Sequence, residues 1–75
     1  SPEPVNLKQY VRVLIDGVSL KQGPGAVFPE MKKVNKGDRL VLVRRTTVLF
    51  NDKAWLVVKS GDRLAYVWEG LVELE

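Results

Sequence analysis

Short runs of alternating apolar residues, each broken within a few positions by glycine or an Asn/Asp turn, leave this chain few ways to fold. The plainest is Val18-Ser19-Leu20-Lys21-Gln22-Gly23-Pro24-Gly25. Two apolar residues at period two run into a proline of fixed φ held between two glycines, so the backbone travels extended and then reverses. Before it, Tyr10 to Ile15 puts Val11, Val13 and Ile15 on one face, and Asp16-Gly17 separates the two runs as a dipeptide suited to positive φ.

Beyond Gly25 the pattern continues. Ala26 to Pro29 reads as a loop, in which Phe28 is extended by the following proline and packs back as the loop's apolar anchor. Glu30 to Val34 forms a short strand, and Asn35-Lys36-Gly37-Asp38 turns the chain into Arg39 to Arg45, whose apolar run Leu40 to Val43 predicts a strand covered on both sides or one that crosses from one sheet to the other. Thr46 to Phe50 prolongs it to a turn at Asn51-Asp52-Lys53, leaving Leu49 or Phe50 exposed. Ala54 to Lys59 and Arg63 to Trp68 form a hairpin about Ser60-Gly61-Asp62, with Trp55 and Val57 read as core. Glu69-Gly70 makes a short turn, and Leu71 to Leu74 closes the chain as a last strand. No stretch has helical period. The expected fold is all-β, a small SH3-like barrel of five to seven short strands that hides its sheet edges.

The sequence has 75 residues and no cysteine or histidine, so neither disulfides nor a zinc site adds to a core that buries only about 60% of the unfolded surface. Residues 1–9, opening on Ser1-Pro2-Glu3-Pro4, read as a linker or N-terminal extension of a longer protein, and 10–75 as the domain. No apolar run is long enough to span a membrane. Gly23, Pro24, Gly25 and Gly37 are expected to be architectural, with Gly25→Val strongly destabilising if Gly25 holds a positive φ.

Twelve basic and nine acidic residues give a net charge of +3, a bias too mild to mark a nucleic-acid binder. Tyr66, Trp68, Arg63, Arg44 and Arg45 can put aromatic beside basic groups, but base stacking asks for several exposed rings on one face. Catalysis has less support still. Without histidine or cysteine no Ser-His pair or thiolate nucleophile can form, and Asp16, Asp38, Asp52 and Asp62 each sit in turn contexts that explain them. The chain is therefore expected not to be an enzyme, and nothing in it calls for a cofactor or a metal.

The order and spacing of Val18-Ser19-Leu20-Lys21-Gln22-Gly23-Pro24-Gly25, Lys36-Gly37-Asp38, Trp55-Leu56-Val57-Val58 and Ala65-Tyr66-Val67 resemble the bacterial SH3-like domains over residues 10–74. Ser19 stands where that family commonly has Asn, Lys21 where it has Arg, Ala65 where it has Gly and Tyr66 where it has Trp. The resemblance implies a non-catalytic targeting module of a cell-envelope or extracellular protein, binding peptidoglycan peptides or another peptide or protein ligand. The alternative is a scaffold module packed on a neighbouring domain of a longer chain. A ligand groove is expected between the loop after Gly25 and the hairpin loop near Asn51. Phe28, Phe50, Tyr66 and Trp68 are its aromatic candidates, and Ser19, Gln22 and Asn51 its hydrogen-bonding ones. For each aromatic, a place in the core is the competing role.

Overall fold

A computed structural model describes residues 9–75. Seven strands form in chain order: β1 (Gln9–Val13), β2 (Val18–Lys21), β3 (Glu30–Val34), β4 (Arg39–Phe50), β5 (Lys53–Ser60), β6 (Arg63–Trp68) and β7 (Val72–Leu74), the last preceded by a 3₁₀ turn at Glu69–Leu71. All pairings are antiparallel, in the order β3-β2-β6-β5-β4-β1-β7. Residues 1–8 of the expected linker lie outside the described residues, and Gln9 opens β1 opposite Leu42.

The sheet curls around one apolar face. Val11 and Val13, Val18 and Leu20, Leu56 and Val58, and Ala65 and Val67 all point inward at period two into one buried cluster. Val34 from edge strand β3 and Val72 from edge strand β7 join the same cluster. The result is a small all-β, barrel-like fold.

Local turn chemistry sets the hairpins. Phe50 and Lys53 pair across Asn51 and Asp52, whose φ values of 51° and 64° give the doubly left-handed geometry that matches strand twist. At Ser60 and Arg63 the φ of 64° falls on Gly61, the first central position. The Asp16-Gly17 turn instead moves the chain from one part of the sheet to another, since β1 pairs with β4 and β7 while β2 pairs with β3 and β6. It is locked to the turn before β4: the Gly17 amide donates to Asn35 Oδ1 at 3.1 Å and the Lys36 amide to Asp16 Oδ1 at 3.0 Å. Backbone bonds of 2.8 Å from Val13 N to Asp38 O and from Gly37 N to Val13 O complete the clasp.

Three expectations are corrected. The strand buried on both faces is β5, where Ala54 through Val58 are all buried, and not β4, where Val43 is 47% exposed. β5 lies centrally, between β6 and β4, and β4 slips register against it between Leu42 and Arg44, which turns Val43 out. Ile15 falls beyond the end of β1 and is exposed rather than sharing the buried face of Val11 and Val13. Gly25 does not have a positive φ, and a Cβ there would meet the Phe28 ring at an ordinary 3.4 Å, so no backbone strain attaches to it. The strain belongs at Gly37, with φ of 92°. Gly37→Ala is expected to cost about 1–3 kcal/mol, whereas Gly25→Ala stays within about 0.5 kcal/mol. Parallel thermal melts check this, and equal melting points would contradict it.

Candidate functional site

The site arises where two departures from regular pairing meet. β2 touches β6 through the single pair Lys21 and Tyr66, so Ser19 and Val18 part from Trp68 instead of continuing the ladder. On β4, the step from Arg45 to Leu49 faces only the shorter step from Leu56 to Ala54 on β5, and a bulged strand bends. Between the diverging β2 and the bent β4 tip lies a groove of about 490 Å³. Pro24, Gly25 and Ala26 form one wall, and Val48, Leu49 and Phe50 another. Trp55 and Trp68, paired across β5 and β6, lie between them, with Ile15 and Leu71 also lining the space.

The wall made by the β4 tip is tied down. Trp68 donates its indole N–H to the carbonyls of Phe50, at 3.0 Å, and Lys53, at 3.2 Å. Its ring meets Phe50 edge-on, with centroids 5.6 Å apart and planes at 71°. Room for that ring exists because residue 70 is glycine: an added Cβ would collide with the indole. Glu69 adds a second tie, accepting the Ala54 amide at 3.0 Å and pairing with Arg45 at 3.3 Å. Thr46 fills the bulge, its hydroxyl donating to the Trp55 carbonyl at 2.8 Å.

Of the residues expected at a site, Ser19, Phe50 and Trp68 line this groove, while Gln22, Phe28, Asn51 and Tyr66 do not. Each has a local reason. Phe28 folds back over Gly23, where a Cβ would lie 2.5 Å from its ring, and so packs on its own loop. Gln22 is exposed, and its backbone amide closes the loop on Pro29 O at 3.0 Å. Asn51 supplies a left-handed turn residue. Tyr66 is half-buried beside Lys21, at the last point where β2 and β6 still pair.

The walls also include residues that the sequence did not single out as site residues, Ile15, Val48, Leu49 and Leu71, and the glycine at 70, outside the lining, seats the indole. Only the strand composition of Thr46 to Phe50, ending in exposed apolar residues, hinted at a wall there.

No family model, curated protein or solved structure matches the chain. What the groove can do is set by its chemistry. The lining is dominated by apolar and aromatic surface, with Leu49 61% and Phe50 57% exposed. Its Ser19 hydroxyl is engaged, donating to Glu30 Oε1 at 2.6 Å, and among the described residues Lys21 is its only cationic lining residue. Such a groove takes apolar side chains, with a charged group at its rim. Among the described residues no cluster of His, Cys, Asp or Glu suits a metal ion, and no helix is long and apolar enough to cross a membrane.

Proposed function

We propose that this chain is a non-catalytic binding module of a bacterial envelope protein and that its groove takes an extended peptide, with the peptides of peptidoglycan as the ligand. One observation carries the reading: a concave, aromatic-based groove lies between the loop after Gly25 and the tip of the β4–β5 hairpin, with rings that are tied in place before any ligand arrives. Preorganised rings favour weak, extended ligands, because little ordering entropy remains to be lost on binding. A module that only packs on a neighbouring domain needs an exposed apolar patch but no such cleft. The resemblance of the Gly-Pro-Gly and Lys-Gly-Asp segments to bacterial SH3-like domains supports the choice of ligand and of compartment.

Sedimentation with purified peptidoglycan sacculi tests this. The wild-type domain is expected to pellet with them, and Leu49→Asp to remain in the supernatant. Leu49 is exposed, so the substitution costs no more than about 0.5 kcal/mol of stability. Equal pelleting of the two proteins, or none of either, would contradict the proposal.

A further inference from the structure

The groove continues onto a sheet face that carries a surplus of positive charge. Lys21, Tyr66, Val57 and Arg44 are successive partners across β2, β6, β5 and β4, so their side chains stand on one outer face, as do Ser19, Trp68 and Trp55 of the groove. Lys59, two positions from Val57, shares that face, opposite Leu64 and Val41. None of these strand positions is Asp or Glu. Three acids are engaged elsewhere: Glu73 and Glu75 pair with Arg12 and Arg39, and Glu69 with Arg45. Lys21, Arg44 and Lys59 make no ion pair with a described residue. Glu30, the β3 partner of Lys21, is held by Ser19 and offsets part of this charge, which leaves a net positive surplus across Lys21, Arg44 and Lys59.

Resting on the peptide-binding reading above, we propose that the ligand is an acidic peptide. An apolar side chain occupies the groove, a carboxylate beside it meets Lys21 and the Tyr66 hydroxyl, and a second carboxylate further along meets Arg44. Lys21 and Arg44 are three strand spacings apart, about 14 Å, which an extended chain covers in about four residues. The preferred ligand therefore has acidic residues at positions i and i+4 behind its apolar anchor. Nucleic acid fits this face less well. A stacking platform needs several exposed rings, and here Trp55 is buried, Trp68 is tied to the hairpin tip and Tyr66 is half-buried.

The test uses three acetylated, amidated hexapeptides, Leu-Glu-Ala-Ser-Ala-Glu and its versions with both Glu replaced by Gln or by Lys, and a twelve-residue oligothymidylate, each titrated into labelled protein. The acidic peptide is expected to bind about fivefold more tightly than the Gln version in low salt, the scale of two part-exposed ion pairs. That preference should vanish in the double variant Lys21→Gln, Arg44→Gln, and the single variant Arg44→Gln, at a position outside the groove lining, should leave the affinity for the Gln peptide unchanged. Equal affinity of acidic and Gln peptides, preference for the Lys peptide, or tighter binding of the oligothymidylate would overturn the proposal and leave the groove reading standing. If no peptide shifts Leu49, Phe50 or Trp68 resonances, both fail together.

Discussion

Leu20→Ala is expected to remove most of the domain's stability. Leu20 is fully buried on β2, and β2, which carries β3, meets β6 through the single residue pair Lys21 and Tyr66. Its side chain therefore does much of the work of keeping the β2–β3 ribbon on the barrel. Truncating a buried leucine costs about 2–5 kcal/mol, because a cavity remains where the structure cannot collapse. A domain of this length holds about 5 kcal/mol in all. At about 3 kcal/mol the melting point should fall by roughly 12–24 °C. Calorimetry of the two proteins checks this, and a fall of under a few degrees would mean that the ribbon is held by its hydrogen bonds instead.

The second large effect is expected at Trp68, on both stability and binding. Trp68→Ala removes a half-buried ring, the two N–H bonds to the Phe50 and Lys53 carbonyls, and the groove's central surface at once. The stability loss should be about 2–3 kcal/mol, below the range for a fully buried tryptophan. Affinity for a groove ligand should fall roughly thirtyfold, as for other aromatic anchors. Trp68→Phe separates the causes: it retains a ring but no donor, so its stability cost is about 1 kcal/mol and the amide signals of residues 50–53 should broaden as the tip loosens. Urea melts and amide spectra of both variants check these outcomes. A Trp68→Phe spectrum unchanged at the hairpin tip would show that the indole hydrogen bonds do not hold it.

Much of the fold was legible because it is encoded locally. Gly17, Gly37 and Gly61 each mark a turn and each have positive φ, and the period-two runs at Val18 and Leu20 or Ala65 and Val67 point to the core as their spacing implies. What local spacing does not carry is which of two apolar runs lies centrally. Leu40 to Val43 and Leu56 to Val58 look alike in sequence, and only the register slips on β4 and the central place of β5 distinguish them. The site was half legible for the same reason. Tyr66 and Trp68 share a strand face, but β2 departs from β6 between their levels, leaving Trp68 in the groove and Tyr66 at its edge. Phe28 and Phe50 are equivalent as exposed aromatics next to turns. Phe28 is turned onto Gly23 by its own loop, while Phe50 is carried into the wall by a bulge that no sequence signal announced.

The most direct measurement is the amide and indole spectrum of the labelled domain during titration with soluble peptidoglycan stem peptides. Two indole N–H signals report from the groove, one from Trp55 and one from Trp68. The account predicts saturable shifts of both, together with the amides of Ser19, Lys21 and residues 48–50, in low and physiological salt alike. Saturable shifts confined to the far side of the barrel, around Arg12 and Glu73, or indole signals that stay fixed to the end of the titration, would contradict it.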